Sequence, residues 1–351
     1  MSVLFIAPFP PDFTGQSISS AFLAWRLEQD GVRLRRMNTN GTRPGQRARR
    51  LAWSLLACLL TRHRTVYLSV NANRGMWVTA FQAALARLRG KRVVLHHHTN
   101  AHLRHERPAA RTLVRAAGSG AVHIVICDVM AEDLRALYAP VGSCLSLSNV
   151  GVVAGEAVSD PSPARGFRQG GVTLGHLSNL TVEKGCLRAI DAFKAAHAKG
   201  LAARLVLAGP IRERKLQRRV AAEVRASGGA ITYVGPVYGA AKRDFFTEID
   251  VFLFPSLYPN ETQGIVNLEA LAAGCPVIAF GQCCIASDLD DPSSRTVPMD
   301  ADFSEATIAF LETMDLHAMS VQARAHYETL VADSHAQYEA VRDLLADAAP
   351  G

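Results

Sequence analysis

The feature that most constrains the fold of this chain is a regular alternation of short apolar runs with longer amphipathic stretches. The apolar runs are rich in Val, Ile and Leu and nearly continuous in hydrophobicity, which is typical of parallel strands covered by helices on both faces. They lie at Val3–Ala7, Val66–Val70, Val93–His96, Val122–Cys127, Val172–Leu177, Arg204–Ala208, Ile231–Val234, Val251–Phe254 and Pro276–Phe280. The amphipathic stretches predict helices, including Ser17–Gln29, Gly75–Arg89, Leu187–His197, Lys215–Ser227 and His317–Asp347. Strands and helices in alternation predict an α/β fold built on doubly wound parallel sheets.

The alternation restarts once, and the charge of the chain changes at the same place. Residues 153–171 are rich in Gly, Pro and Ser and lack periodicity, so they predict an interdomain linker. Residues 1–165 have a net charge of +12, whereas residues 166–351 have a net charge of −5. Because 351 residues suffice for about two domains of typical size, we predict one domain over residues 1–155 and a second over residues 165–330.

The sequence contains no pattern that predicts secretion, a membrane span or a zinc site. The N-terminal apolar run covers about six residues without a basic flank, which is too short for a signal peptide. The apolar run Leu51–Leu60 falls well below the ~20 residues of a membrane span. The seven cysteines are odd in number and none has CxxC spacing, which favours a reducing compartment. We therefore expect a cytoplasmic protein.

The segment Val251–Phe280 carries the strongest chemical signal in the second half. A strand ends before a loop with Glu261, and Gly264 then opens an apolar helix that contains Glu269. Carboxylates accept hydrogen bonds from sugar hydroxyls, and the amides of Thr262–Ile265 at a helix N-terminus bind phosphate oxygens. The combination predicts a nucleotide-sugar site. The alternative is structural: Glu261 as a charge favoured by the helix dipole and Glu269 as a solvated helix residue.

Two further features follow strands in the same half. Lys184 precedes a predicted helix at the carboxyl end of a strand, where its charge can neutralise a pyrophosphate; a surface lysine is the alternative. Gly209 and Gly235 also follow strands, at turns where the backbone can approach a ligand closely. The acidic run Asp288–Asp291 lies beyond the site loop, and we predict that the site needs no metal ion.

In this order, these segments resemble the retaining glycosyltransferases of family four, which have the GT-B fold. The matching residues are Lys184, Gly185, Pro255, Ser256, Glu261, Gly264, Glu269, Ala270, Gly274, Pro276, Val277 and Ile278. The resemblance is specific over about 110 residues of the second half and weaker in the first. It implies two Rossmann-like domains facing a central cleft, with an acceptor-binding first domain, a donor-binding second domain, and a last helix of about residues 331–351 that packs back on the first.

The resemblance also implies residue roles. Glu261 would contact the hydroxyls of the donor sugar, Glu269 the ribose, and Lys184 the pyrophosphate. The implied donor-binding set is Gly15, Ser178, Asn179, Lys184, Gly209, Gly235, Thr262, Gln263, Gly264, Ile265, Val266 and Glu269. The implied catalytic set is Glu261, His97 and His98. Asn179 stands where the family has Arg, so the phosphate clamp has one cation fewer.

The run of histidines that begins at His96 is the candidate acceptor site of the first half. In the family a histidine after this strand lies near the reacting carbon, and alignment of the strand places it at His97, with His98 beside it. A neutral imidazole there can orient or deprotonate an acceptor hydroxyl. Two alternatives stay open: histidines on the surface, and a metal site, which consecutive residues on an extended chain fit poorly.

The stretch Arg43–Arg64 mixes six arginines with leucines and Trp53. A basic amphipathic helix of this kind can lie on an anionic membrane; the alternative is a helix that packs on the sheet with its arginines in water. A lipid-linked acceptor would favour membrane contact, and we therefore expect a peripheral location on the inner face of a membrane.

The residues and the resemblance together predict a retaining glycosyltransferase without a cofactor. It would move a sugar from a UDP- or GDP-sugar to the hydroxyl of an anionic sugar or lipid-linked acceptor, in polysaccharide, lipopolysaccharide or glycolipid synthesis. A nucleotide-sugar epimerase of the same fold is the alternative. A basic nucleic-acid-binding protein is more remote, because the basic half lacks interleaved aromatic residues and any recognised module, and we expect no nucleic-acid partner.

Overall fold

The computed structural model describes residues 2–11, 14–41, 45–156 and 171–346, and the chain divides into two compact units. Unit 1 consists of Met1–Gly155 and Ala332–Gly351, and unit 2 of Glu156–Val331. Each unit has a six-stranded parallel sheet with flanking helices. The predicted class, two Rossmann-like doubly wound domains, is confirmed.

Unit 1 is built on a sheet with strand order β2-β1-β3-β4-β5-β6. Its strands are β1 Ser2–Ala7, β2 Arg33–Asn38, β3 Thr65–Ser69, β4 Arg92–His96, β5 Val122–Val125 and β6 Ser143–Ser146. Its helices are α1 Gly15–Gln29, α2 Gln46–Leu60, α3 Gly75–Leu88, α4 Pro108–Ala117, α5 Asp128–Tyr138 and α6 Val150–Glu156. The strand order changes direction between β1 and β3, which is where such sheets open a crevice for ligands.

Unit 2 has the strand order β12-β11-β10-β7-β8-β9, which changes direction between β7 and β10. Its strands are β7 Val172–Leu177, β8 Ala202–Ala208, β9 Ile231–Tyr233, β10 Val251–Phe254, β11 Val277–Phe280 and β12 Arg295–Val297. Its helices are α7 Cys186–Ala198, α8 Arg214–Ala226, α9 Ala240–Glu248, α10 Ile265–Ala272, α11 Cys284–Asp288 and α12 Phe303–Thr313. A last helix, α13, runs over Leu316–Ala346.

Helix α13 contributes to the cores of both units. Ala323 belongs to an apolar cluster of unit 2, whereas Tyr338, Val341 and Leu345 belong to the cluster of unit 1. The hydroxyl of Tyr338 donates a hydrogen bond to Asp30 at 2.6 Å. The C-terminal part of this helix is therefore a structural element of unit 1.

Every strand predicted from an apolar run occurs within two residues of its predicted ends, and so do the helices predicted at Ser17–Gln29, Gly75–Arg89, Leu187–His197 and Lys215–Ser227. The helix predicted at His317–Asp347 is described as far as Ala346, and the stretch Arg43–Arg64 contains the shorter helix α2. The strands that carry no apolar run are β2, β6 and β12, and all three are edge strands. An edge strand has a neighbour on one side only and is less covered, so it needs fewer apolar residues. In β2 the side chains of Arg33, Arg35 and Arg36 are exposed.

The linker prediction was wrong at its start, because helix α6 continues to Glu156; residues 157–170 lie outside the described residues. Within the described part of the chain, no helix combines the length and the hydropathy that a membrane span requires.

Candidate functional site

The site of unit 2 lies where its strand order changes direction. Lys184 follows β7 and Glu261 follows β10, and these strands pair directly. The two loops contact each other, because the N–H of Leu257 donates to the carbonyl of Glu183 at 2.8 Å. Sequence-distant residues thus meet at the edge of the sheet where ligands of such folds bind.

The central contact of this site is an ion pair between Lys184 and Glu261. Nζ of Lys184 lies 2.5 Å from Oε2 of Glu261, which also accepts a hydrogen bond from Oγ of Ser256 at 2.9 Å. Glu261 is 8% exposed, and Nζ of Lys184 lies 4.6 Å from the centre of the Tyr258 ring. Pairing and hydrogen bonding let the carboxylate stay charged while shielded from water.

Glycines allow this close approach of the loops. Gly185 has φ +85°, and a Cβ there would lie 2.1 Å from the carbonyl oxygen of Pro255. Gly264 has φ +64°, and a Cβ there would lie 2.8 Å from Nδ2 of Asn267. Both positions therefore require glycine. Helix α10 begins directly after Gly264, and its first amides, such as those of Ile265 and Val266, lack acceptors within the helix.

Glu269 forms a second ion pair, with a residue that the sequence reasoning missed. Its Oε1 lies 2.5 Å from Nζ of Lys242, and its side chain is 12% exposed, which excludes the solvated side chain of the structural alternative. Burial, and then the charge of Glu269, raises the pKa of Tyr327 to about 12. Lys242 lies in the first turn of α9, whose N-cap is Gly239, and Lys184 directly precedes Gly185, the N-cap of α7, so both lysines lie close to a glycine-capped helix start.

The remaining predicted donor residues of unit 2 occupy neighbouring turns at the same edge. A Cβ on Gly209 would lie 1.8 Å from the carbonyl oxygen of Ser178, and the N–H of Gly209 donates to Gly235 at 2.8 Å. The hydroxyl of Ser178 lies 3.1 Å from Nε2 of His176. Asn179 is exposed on the same loop as Ser178.

Asp288 was expected to lie beyond the site loop, and that expectation was wrong. Its carboxyl group bonds to the side chain of Gln263, and burial raises the pKa of Asp288 to about 7. The carbonyl of Thr262 accepts a hydrogen bond from the N–H of Cys284 at 3.0 Å. Helix α11 thus holds the site loop, a contact that sequence spacing does not reveal.

Unit 1 has a cluster of buried histidines at the end of β4. Nδ1 of His97 lies 3.1 Å from Nε2 of His102, and Nε2 of His97 lies 3.0 Å from Nδ1 of His123. The His98 ring packs against the ring of His96, with 3.9 Å between centroids. We call His96, His97, His98, His102 and His123 the histidine cluster. The sequence reasoning missed His102 and His123, which no local pattern connects to His97.

Burial keeps the rings of the histidine cluster uncharged. It lowers the pKa values of His102 and His123 to about 4 and that of His98 to about 3. His97 is 1% exposed, so the alternative of a surface histidine was wrong for this residue. A neutral imidazole has one donor and one acceptor, so both ring nitrogens of His97 are occupied within the cluster. The catalytic roles of His97 and His98 stay predictions.

In unit 1, the residues that follow β1 are hydrogen-bonded to the end of the neighbouring strand β3. Thr14 caps α1 in a capping box with Ser17, and Nε2 of Gln16 donates to Oγ of Ser69 at 2.8 Å and to the carbonyl of Val70 at 3.1 Å. Gly15 opens α1 in unit 1, whereas the other predicted donor residues lie in unit 2.

Helix α2 carries the predicted basic and apolar surface, of which residues 43 and 44 lie outside the described residues. Trp53 is 60% exposed, Leu56 42% and Leu60 66%. These side chains line a cavity of about 500 Å³ together with Arg35, Met37, Arg62 and His63, among others. The helix presents apolar side chains to solvent beside exposed arginines.

Known proteins share the fold and part of the sequence. Residues 171–313 match the family model of the glycosyl transferases group 1. A GDP-mannose-dependent alpha-(1-6)-phosphatidylinositol dimannoside mannosyltransferase of Mycobacterium tuberculosis is 38% identical over 108 residues, which are 30% of this chain and 26% of the relative. The chain therefore spans about a quarter of the length of the curated relatives it matches.

Solved structures match over nearly the whole chain. HepE of Anabaena, in complex with UDP and glucose, has a TM-score of 0.69 at 17% identity and covers 99% of both chains. Sucrose-phosphate synthase of Thermosynechococcus elongatus has a TM-score of 0.69 at 14% identity, again over 99% of both. The fold is that of the GT-B glycosyltransferases. Within it, residues 171–313 of unit 2 are the part that is similar to the glycosyl transferases group 1.

Proposed function

We propose that the protein is a retaining glycosyltransferase of family four that moves a sugar from a nucleoside diphosphate sugar to a hydroxyl acceptor. The Lys184–Glu261 pair carries the proposal. It lies between the β7 and β10 loops, within the part of unit 2 that matches the group 1 model. Neither the family match nor the names of the relatives support the epimerase alternative.

The charges of the site suit departure of a diphosphate. Lys184 and the first amides of α10 supply positive charge to the pyrophosphate. Glu261 accepts hydrogen bonds from the sugar hydroxyls, and its bonds to Lys184 and Ser256 hold the carboxylate in position. Groups that are oriented before the reaction stabilise the transition state without reorganising.

Glu269 is proposed to bind the ribose of the donor. Its bond to Lys242 fixes one carboxylate oxygen, and a carboxylate has further lone pairs for ribose hydroxyls. The similar proteins include a GDP-mannose-dependent enzyme and a structure in complex with UDP. Both nucleotides are therefore candidates for this chain.

Metal independence is part of the proposal. Lys184 and Lys242 place two cations at the site, and cations offset the charge of a leaving diphosphate as a divalent ion would. Transfer should continue in EDTA, and retention should appear as a product whose anomeric configuration, read from proton NMR couplings, equals that of the donor. Loss of activity in EDTA that Mg²⁺ restores would refute metal independence. A product of inverted anomeric configuration would refute retention.

A lipid-linked acceptor would require contact with a membrane, and we propose that α2 provides it. Exposed Trp53 and Leu60 would enter the lipid interface, and each nearby arginine contributes about 1 kcal/mol at an anionic surface. The full chain should co-sediment with vesicles that contain phosphatidylglycerol but not with phosphatidylcholine alone. Replacing Trp53 and Leu60 by Ser should abolish binding, whereas Trp25→Ser, an exposed control in the same unit, should not.

A thermal-shift panel of UDP-, GDP- and ADP-sugars tests the central proposal, because a ligand that binds only the folded state raises its stability. One nucleotide sugar should raise the melting temperature and, with candidate acceptors, yield a glycosylated product. The proposal fails if none of these sugars binds.

A further inference from the structure

A second cavity lies in unit 1 beside the histidine cluster, and the proposed donor site leaves it unexplained. It has a volume of about 300 Å³ and is formed by the loop after β3, the loop after β4 and the starts of α3 and α4. Its polar and aromatic lining comprises Asn73, Arg74, Trp77, Thr99, His102 and Arg107. Among these described lining residues two are cationic and none is acidic, so the cavity has a positive electrostatic potential.

His102 forms a buried wall of this cavity and has unused hydrogen-bonding capacity. It is 2% exposed, and its Nε2 lies against His97. Among the described residues, Nδ1 of His102 has no hydrogen-bond partner. A buried polar atom without a partner is costly in a folded protein.

Arg107 is fixed close to His102. Tyr138, which is 4% exposed, accepts a hydrogen bond from the N–H of Arg107 at 2.9 Å and donates one to the carbonyl of His102 at 2.5 Å. Nε of Arg107 donates to the carbonyl of Ala101 at 3.2 Å. After burial, the charge of Arg107 is the next largest cause of the lowered pKa of His102, which agrees with this proximity.

The N-terminus of α4 adds to the positive potential. The helix begins at Pro108, directly after Arg107, and Ala109 also lines the cavity. Pro108 has no N–H and the N–H of Arg107 donates to Tyr138, so the amides of Ala109 and Ala110 are the first at this helix start that can favour a negatively charged ligand. Arg74, at the start of α3, supplies the second guanidinium group of the lining. Guanidinium groups and helix amides together match the geometry of phosphate oxygens.

We propose that this cavity is the subsite for a phosphate group of the acceptor, with Arg74, Arg107 and the start of α4 as its ligands and Trp77 against the adjoining sugar ring. The proposal rests on the proposed transferase function. It makes the acceptor a phosphorylated one, whose phosphate belongs to a free sugar phosphate or to a lipid headgroup.

Fluorescence of Trp77 provides a direct test on the full chain. In a Trp25→Phe, Trp53→Phe background Trp77 is the remaining tryptophan, and the probes are glucose 6-phosphate, glucuronate, glucose and soluble dihexanoyl phosphatidylglycerol. Glucose 6-phosphate should bind at least tenfold more tightly than glucose and glucuronate if the phosphate is free. Tighter binding of the phosphatidylglycerol assigns the phosphate to a lipid. Equal binding of glucose or glucuronate would overturn the phosphate subsite.

Variants locate the binding. Arg74→Ala and Arg107→Ala should each weaken binding of the preferred phosphate probe at least tenfold, whereas Arg115→Ala, an exposed arginine of α4 outside the lining, should not. An equal loss in Arg115→Ala would show attraction to general positive charge and would overturn the proposal. Far-UV circular dichroism of each variant verifies that it folds.

Donor binding separates the two proposals. Arg107→Ala should leave the affinity for the preferred nucleotide diphosphate unchanged and raise the KM for the acceptor. Phosphate binding by a protein that binds no nucleotide sugar would refute the transferase function and, with it, the acceptor role of the cavity. Nucleotide-sugar binding without phosphate binding in the cavity would refute the subsite alone.

Discussion

The two units place opposite chemistry at the carboxyl ends of their strands. In unit 1 burial lowers the pKa values of the histidine cluster, so its rings are neutral, and the ring nitrogens of His97 bond to two other imidazoles. In unit 2 Glu261 and Glu269 are also shielded from water, but each pairs with a lysine. Burial without a counter-ion favours the neutral form of a group, whereas burial beside an opposite charge allows it to stay charged.

This difference suits the two kinds of ligand in the proposed function. There, neutral rings would orient an acceptor hydroxyl without attracting the donor diphosphate, and paired charges would exchange their partners for the phosphate and hydroxyl groups of a donor. The positive charges of the proposed phosphate subsite belong to Arg74 and Arg107, which lie outside the histidine cluster. Protonation of the histidines, or replacement of a glutamate or a lysine in the ion pairs, removes one side of this contrast.

The largest expected effect is a selective loss of stability of unit 1 in acid. The folded-state pKa values of His102 and His123 are about 4. Below their ordinary value of about 6.5 the unfolded chain therefore takes up protons that the folded chain does not. The contribution of these rings to the free energy of unfolding is fully present above that pH. It falls as the pH approaches 4, by about 1.4 kcal/mol per pH unit for each buried ring.

In unit 2 two groups oppose each other over the same range. His176 has a pKa of about 4, lowered mainly by burial, so its contribution to the stability of unit 2 decreases as the pH falls. Asp288 has a pKa of about 7, raised by burial, so its protonated folded form gains stability as the pH falls from 7 to 4. The acid sensitivity of unit 2 should therefore be smaller.

Urea unfolding between pH 7 and pH 5 tests this difference. Trp25, Trp53 and Trp77 all lie in unit 1, so their fluorescence follows that unit, while far-UV circular dichroism follows both. Between pH 7 and pH 5, the urea midpoint of the fluorescence transition should fall. The midpoint of the dichroism change that fluorescence does not follow should fall less. His123→Gln should flatten its pH slope, and His105→Gln, an exposed control, should not. Parallel shifts of both signals would contradict the contrast between the units.

Glu261→Gln removes one charge of the proposed donor site and keeps its shape. Loss of one oriented electrostatic group typically lowers kcat by about 10²–10³-fold, and we expect a fall of that size in the transfer rate, with the fold intact by circular dichroism. Glu312→Gln, an exposed glutamate of unit 2, serves as the control. Near-normal turnover of Glu261→Gln would remove Glu261 from the mechanism.

Lys184→Ala removes the cation proposed to bind the diphosphate. A hydrogen bond to a charged group contributes about 1.5–3 kcal/mol, so the Kd for the donor, measured by calorimetry, should rise about 10–100-fold. The matched control is Lys199→Ala, whose side chain is 55% exposed. If Lys184→Ala binds the donor as tightly as the parent protein, the phosphate site lies elsewhere.

The smallest expected effect concerns the ribose. Glu269→Gln should reduce the preference for the nucleoside diphosphate over its 2′-deoxy form, by roughly the fivefold that one hydrogen bond of about 1 kcal/mol allows. Glu248→Gln, an exposed control in the same unit, should keep the parent preference. An unchanged preference in Glu269→Gln would place the ribose at another residue.

Apolar runs predicted the central strands of both sheets well, because a strand covered on both faces must be apolar throughout. Apolar runs did not predict edge strands such as β2, because the arginines of β2 face solvent. The motif residues Lys184 and Glu261 were also found from the sequence, each on its own loop. Their pairing was not, because 77 positions separate them and only the contact of neighbouring strands brings them together.

The residues that the sequence reasoning missed belong to the same class of long-range contacts. Lys242 lies 27 positions from its partner Glu269, and His123 lies 26 positions from His97. Asp288 reaches the site loop from a different helix. Each of these residues has an unremarkable local pattern, so its role becomes visible only when its neighbours in space are known.

By itself, the sequence determined that this chain forms parallel α/β sheets, and it predicted that residues suited to bind phosphate and hydroxyl groups follow strands of its second half. Local hydrophobic patterns and loop motifs carry that information, because strand burial and helix starts depend on residues close in the chain. Only the tertiary structure decided which histidines stay neutral and which carboxylates are paired. Those outcomes depend on burial and on the distance between charges, which are properties of the folded chain.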